Sequence, residues 1–269
     1  MIIKDINIKD ENINDIIEKY EIDEDLILDV QDINETVRFL GKKDYTEIVL
    51  KYPIKNDMLT LGICLNKENV FFIHTGEFPY ELDKKQKNTT LVLVDILYQI
   101  TESYFKILKN IHKKIRKIKI SAKTSVKNKD LLTLFELQND LDDYIMAIKG
   151  NLQVLSKIIL TDPNNEFIND TKIENDQALE TAISYFKTVS NLKSTLEIIT
   201  NNITNKRMES LTIVNVSALI ISSISGLYGM NVRLPLSDNP NIFYYIILTS
   251  ILLALSFGFF LKKRFSEKK

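Results

Sequence analysis

Apolar residues fall into two regimes along this chain. Over the first 210 positions they recur singly or in short runs among charged and polar residues, whereas at 211–228 and 242–261 they run together in stretches of 18 and 20 residues. At about 1.5 Å rise per helical residue, each stretch matches the roughly 30 Å hydrocarbon core of a bilayer. Upstream, the spacing predicts ordinary soluble elements. Residues 1–8 alternate weakly, as an edge strand does, and 12–20 place Ile13, Ile16 and Ile17 on one helical face behind an Asn12 cap. Three β-rich segments, 47–52, 58–65 and 69–75, are joined by links short enough to imply antiparallel hairpins. Apolar positions then recur at threes and fours over 89–119 and 129–160, which predicts two long helices joined near 121–128 into a hairpin.

After the break at Asp162-Pro163-Asn164, neither Gly nor Pro occurs until Gly226. That permits one helix from about Lys172 into the first apolar run, roughly 80 Å long. Ala178, Ala182, Tyr185, Val189, Leu192, Leu196, Ile199 and Ile203 form a seam along it, and a sustained heptad needs partner helices. Because the chain holds no second copy of such a helix, the seam predicts other subunits as its partners. The hairpin helices differ in charge: the first ends in Lys113, Lys114, Arg116, Lys117 and Lys119, and the second carries Asp130, Glu136, Asp140, Asp142 and Asp143. Two readings of the basic end stand side by side. It pairs with the neighbouring acids, which adds little when exposed, or it touches anionic lipid.

Composition removes several classes. Lys plus Arg number 35 against 36 Asp plus Glu, a net charge of -1, so nothing argues for a nucleic-acid partner. A single cysteine, Cys64, and two histidines, His74 and His112, exclude a disulfide frame or a Cys/His zinc site. His74, at a strand end with no such neighbour, reads as structural. Residues 1–20 lack the apolar core of a signal peptide, which predicts a cytoplasmic N-terminus. No Gly-rich phosphate loop, nucleophile elbow or metal-binding His pair is present, so an enzyme is not expected.

Tyr228-Gly229-Met230-Asn231 follows the first apolar run, and Asn205, Met208 and Leu211 precede it. With the order of soluble part, long helix, span, short loop, span and basic tail, these residues resemble the CorA family of divalent-cation transporters. The resemblance is to its two-span Gly-x-Asn type, which includes the ZntB zinc transporters, and covers essentially the whole chain. Residues 59–63 and 70–73 are similar to the family's central strands. Residues 20–32 resemble an acidic helix ahead of the sheet, and read alone they are also a solvated helix face. The resemblance implies an α/β cytoplasmic domain, a very long stalk helix and two C-terminal transmembrane helices, assembled as a funnel-shaped homopentamer. The expected divisions are an α/β domain at 1–88, the hairpin at 89–160, the stalk at 161–210 and a pore helix at 211–228. The Gly-Met-Asn segment and outer loop at 229–241, a second span at 242–261 and a basic tail at 262–269 complete them.

Carried past Ile203, the seam's spacing reaches Asn205, Met208, Leu211 or Thr212, Asn215, Leu219, Ser222, Gly226 and finally Asn231. Polar residues such as Asn215 and Ser222 cost energy against lipid, so they line a water-filled pore or bond helix to helix. The resemblance makes Gly229, Met230 and Asn231 the selectivity filter and the preceding set the pore lining. Mg²⁺ dehydrates reluctantly, so a ring of neutral Asn231 oxygens suits the hydrated ion, helped by backbone carbonyls at the helix's negative end. Met208 and Leu211 match the family's cytoplasmic constriction, where apolar rings close a pore by excluding water, and they also suit an ordinary helix seam. Neither run holds a carboxylate. Lys206 and Arg207 before the first run and Lys262, Lys263 and Arg264 after the second predict that both termini are cytoplasmic. In the family, such a tail encircles the neck of the pore. Three departures stand out. Arg233-Leu234-Pro235-Leu236 replaces the family's Met-Pro-Glu-Leu and leaves Asp238 as the loop's acid, the first span lacks a mid-helix proline, and Asn215 adds an amide.

The family also places regulatory ions between neighbouring soluble domains, and the matching acids here are Asp57, Asp170, Glu174 and Asp176. What the resemblance implies is a plasma-membrane channel for Mg²⁺, and for cobalt or nickel, driven by voltage and gated by cytoplasmic Mg²⁺. Lipid, divalent cations and further copies of the chain are its partners. A ZntB-type zinc transporter and a non-conducting membrane-anchored scaffold are the alternatives.

Overall fold

The computed structural model describes residues 2–55, 57–122, 127–160, 162, 164–230 and 241–267, with the backbone alone at 266 and 267. It divides into two units, Met1–Leu196 and Glu197–Lys269.

The first unit is built on a five-stranded sheet in the order β1-β5-β4-β3-β2. β3 (Thr46–Ile54), β4 (Asp57–Leu65) and β5 (Asn69–His74) form the antiparallel meander that their short links require. β1 (Ile2–Asn7) is an edge strand and lies parallel to β5, while the short β2 (Arg38–Gly41) closes the other edge against β3. Nothing in the sequence pattern announced β2. The inner strands are buried on both faces, which explains why β3 reads as a nearly continuous apolar run.

On one face, α1 (Ile13–Tyr20) and α2 (Glu24–Gln31) cover Ile6, Val49, Cys64, Phe71 and Ile73. Each starts at a side-chain cap: the Asn12 and Asp23 oxygens accept from the backbone N–H two residues on. Glu24 and Asp25 of α2 face outward, Asp29 pairs with Arg38, and Leu26, Ile27 and Val30 pack inward, so this acidic helix is solvated on one side only. Gly62 permits that packing, because a Cβ there would sit 2.5 Å from Val30 Cγ2.

Ile48, Leu50, Tyr52, Leu61, Ile63 and Phe72 face the opposite way, into a cluster shared with α3 (Thr89–Ser121), α4 (Asn128–Ile159) and the first part of α5 (Glu166–Tyr228). His74 packs within this structure. Its ring stacks on Phe78 at 5.1 Å and its Nδ1 lies 2.7 Å from the Gly76 carbonyl.

Two expectations change here. α5 begins at Glu166, ahead of Lys172, because Asn165 accepts from Ile168 N–H and caps the helix there. Its seam also finds partners inside the chain. Ala178, Ala182, Val189 and Leu196 are fully buried in one cluster with Ile111, Ile115 and Ile118 of α3 and Leu134, Leu137 and Leu141 of α4. The hairpin thus supplies the helices that the heptad demanded, and only Ile199 and Ile203 remain exposed. Among the described residues no ion pair joins the basic end of α3 to α4; Lys114 acts on Asp140 through its charge alone.

Candidate functional site

The second unit contains the remainder of α5 and α6 (Ile242–Glu267). Both helices are long and apolar enough to cross a membrane. Their contact is made by small residues. Ser250, Ala254 and Gly258 of α6 are buried at every fourth position, and Ser217 of α5 donates to the Ala254 carbonyl at 3.3 Å. A Cβ on Gly258 would meet Ser217 Oγ at 3.1 Å. Small side chains let two helices approach closely within lipid, where no hydrophobic force drives them together. The spacing of Ser250, Ala254 and Gly258 is present in the sequence, but small residues in an apolar run carry no polarity contrast that marks them as a contact.

This contact sorts the residues of the first span. Ile213, Val216, Ser217, Ile220 and Ile224 are half-buried, whereas Asn205, Met208, Leu211, Asn215, Leu219, Ser222 and Gly226 are exposed. At about 100° per residue, the two sets centre on roughly opposite sides of the helix. The polar stripe therefore lies away from α6, on a face that nothing within the unit covers. Gly229 ends the helix with its N–H donating to Ser225 O at 2.9 Å, and Met230 N–H reaches Leu227 O at 3.4 Å. Asn231, and with it Arg233, Leu234, Pro235, Leu236 and Asp238, lies outside the described residues.

The candidate regulatory acids fall into two neighbourhoods within one chain. Asp170 and Glu174 stand one turn apart on α5, and the charges of Asp170 and of Glu102 on α3 act on Glu174. Burial, reinforced by those two charges, holds the Glu174 carboxyl above the usual carboxylate range, and its Oε2 has no hydrogen-bond partner. Asp176 is half-buried on the same helix. Asp57 opens β4, and its charge acts on Tyr144 of α4 alongside Asp140 and Asp143. Among the described residues no three His, Cys, Asp or Glu side chains come together as a metal site. At the far end of α6, Lys262, Lys263 and Arg264 are exposed, with Lys262 closing a groove lined by Ile213, Ser217 and Phe259.

An α/β unit followed by two apolar helices, one bearing a polar stripe turned away from the other, defines a membrane protein. Comparison with known proteins places it more narrowly. The model of the CorA-like Mg²⁺ transporter proteins matches residues 3–263, and the chain belongs to that family. The cobalt/magnesium transport protein CorA of Methanocaldococcus jannaschii is 22% identical over 274 residues, spanning 91% of this chain and 86% of the relative. The complete structure of that organism's CorA magnesium transporter superimposes with a TM-score of 0.74 at 21% identity, over 95% of this chain and 89% of that one. The full-length CmaX protein gives 0.70 at 14% identity, over 97% and 86%. These likenesses carry the fold across both units.

Proposed function

We propose that the chain assembles as a homopentamer and passes Mg²⁺, with cobalt or nickel as secondary ions, into the cytoplasm across the plasma membrane. The observation that supports this most is the uncovered stripe of α5 from Asn205 to Gly226, which carries Asn215 and Ser222 at span depth, opposite the face that packs on α6. Polar side chains at membrane depth need water or a protein interior, and five such stripes meeting around one axis supply both. Membership of a family of CorA-like Mg²⁺ transporters supports Mg²⁺ as the ion, and the Methanocaldococcus jannaschii relative bears the name of a cobalt/magnesium transport protein.

In this reading, Gly229, Met230 and Asn231 form the filter, and the Asn231 amide oxygens hold the ion through its waters. Without carboxylates in the pore, the ion is not trapped, and a double charge crossing 100 mV gains about 4.6 kcal/mol, enough to drive entry. Met208 and Leu211 close the pathway by excluding water when the rings they form are narrow. Lys206, Arg207, Lys262, Lys263 and Arg264 hold both termini on the cytoplasmic side.

Internal Mg²⁺ acts as the regulator. Carboxylate oxygens are the ligands this hard cation prefers, and the unpartnered Glu174 Oε2, with Asp170, Asp176 and a neighbouring subunit's Asp57, offers them. Cation binding relieves the repulsion between those acids and holds the subunits symmetric, with the pore closed.

Flux into proteoliposomes tests the proposal, with Mg²⁺, Co²⁺, Ni²⁺ and Zn²⁺ compared. Asn231→Ala should abolish Mg²⁺ entry while expression and assembly persist; normal flux in that variant would refute the pore assignment. Asp57→Lys with Asp170→Lys should leave flux intact but insensitive to internal Mg²⁺, and an unchanged dose response would remove the regulatory reading alone.

A further inference from the structure

β2 pairs with β3 only as far as Val49, so from Lys51 onward one edge of β3 has no strand beside it. The segment after α2 and the middle of α4 close over that edge and leave a cavity of about 470 Å³ between them. This is a volume suited to a small organic ligand. Ile33, Met58, Met146 and Ala147 give it an apolar wall.

One buried cation reaches the cavity. Lys51 is 8% exposed, and its ammonium donates to the Ile33 carbonyl and, at 2.8 Å, to Thr60 Oγ1. Both acceptors are neutral, and an ammonium carries three protons, so one is left for a further acceptor. Among the described residues no carboxylate forms an ion pair with it. Glu35, on the same wall, is turned to Arg38 at 3.4 Å. Burial lowers the Lys51 pKa, and the more distant charges of Asp32 and Glu35 oppose that shift. A buried charge lacking a paired counter-charge is costly, and an anion entering the cavity removes that cost.

We propose that this cavity binds a small organic monocarboxylate, its head on the Lys51 ammonium and its apolar body against Met58, Met146 and Ala147. A single negative charge is specified because Lys51 is the one buried ammonium in the wall, Lys149 being exposed at its rim, while Glu35 and Asp143, also in the wall, repel any further anionic group. An apolar body is specified by Ile33, Val37, Met58, Met146 and Ala147, beside which Asn34, Thr36 and Gln153 also line the cavity. The site lies wholly in the first unit and does not depend on ion passage.

The test uses the full-length protein in nanodiscs of zwitterionic lipid, with empty nanodiscs as the blank. Calorimetric titration compares 2-naphthoate with its neutral counterpart 2-naphthalenemethanol. Naphthoate should bind saturably, one per chain, at least about tenfold more tightly than the alcohol, as one charge-assisted hydrogen bond allows. Lys51→Met should erase that preference. Because Lys51 also ties Ile33 and Thr60 together, a second variant guards against misfolding: Met146→Glu, on the exposed side of α4, adds a carboxylate to the wall without touching Lys51. Any loss of apolar contact falls on both ligands, so the reading is the ratio: the variant should weaken naphthoate by about tenfold or more beyond its effect on the alcohol. Equal affinity for acid and alcohol, no saturable binding up to about 5 mM, or a Met146→Glu variant that keeps the parent's ratio of the two affinities would each overturn the proposal.

Discussion

Asn151 stands in for a missing strand beside Lys51. Its Oδ1 accepts from the Lys51 N–H at 3.3 Å, and its Nδ2 donates to the Lys51 carbonyl at 2.9 Å, both in the buried interior. The Tyr104 hydroxyl donates to the same carbonyl at 3.0 Å, so α3 and α4 are both tied to the open edge of β3. Asn151→Leu keeps the volume but leaves a buried N–H without a partner, which costs about 1–3 kcal/mol. Thermal unfolding of the intact protein should show a midpoint lowered by several degrees. An unchanged midpoint would mean that water satisfies the strand edge equally well.

Gly150 is where α4 meets the segment after α2. A Cβ there would lie 2.5 Å from Val37 Cβ and 2.8 Å from Val37 Cγ2. In an unhindered helix, Gly→Ala would stabilise by roughly 0.5–1 kcal/mol. Here Gly150→Ala should destabilise instead. Val37→Ala, which keeps the clashing Cβ, should not fully rescue it, whereas Val37→Gly should. The four melting temperatures decide the matter, and a stabilising Gly150→Ala would contradict the packing described.

The burial boundary along α5 separates two kinds of damage. Leu196→Asp puts a charge into the cluster shared with α3 and α4, so it should lower the stability of the subunit itself. Ile203, 40% exposed within one chain, is available to other copies, and Ile203→Asp should reduce oligomer mass in detergent while the subunit's own unfolding is unaffected. Light scattering paired with circular dichroism distinguishes the two. Identical behaviour of both variants would count against the boundary.

Glu174 gives a pH signature. Its carboxyl is raised above the ordinary value in the folded chain by burial and by Glu102 and Asp170, so folding favours its protonated form. The penalty is absent below the unfolded value of about 4.3, grows as pH rises through it, and is full above the folded value. Glu174→Gln should therefore raise the melting temperature at neutral pH, with the gain shrinking to nothing near pH 4. A gain that did not change with pH would point to packing rather than charge.

Periodicity was legible wherever an element was long or strictly alternating. The β3–β5 meander and the α3–α4 hairpin follow directly from runs and spacings in the chain. β2 did not, since four residues that are only half-buried or exposed carry no alternation to read. The seam of α5 shows a buried face in its spacing but does not show that α3 and α4 of the same chain cover it. A heptad reports that a face is covered, whereas only the tertiary arrangement tells whether the covering helix comes from the same chain. For the stripe in the first span, polarity identified the residues, and the position of α6 was needed to divide them from the packed face. Asp57 and Asp170 came from family likeness, because isolated acids in an acid-rich chain have no pattern of their own.

The parallel pairing of β1 with β5 also sets an order of events during synthesis. Ile2 meets Asn69 across 67 positions, whereas β3, β4 and β5 are joined by tight turns. Loop closure favours the nearer contacts, so the meander can zip as it leaves the ribosome while β1 waits. At about 5–20 residues per second the wait lasts on the order of several seconds. During that time Ile3 and Ile6, which end in opposite faces of the sheet, are solvated together on one unpaired segment. The strand made first is thus the last to dock, and its arrival covers the edge of β5 that would otherwise be open to another nascent chain.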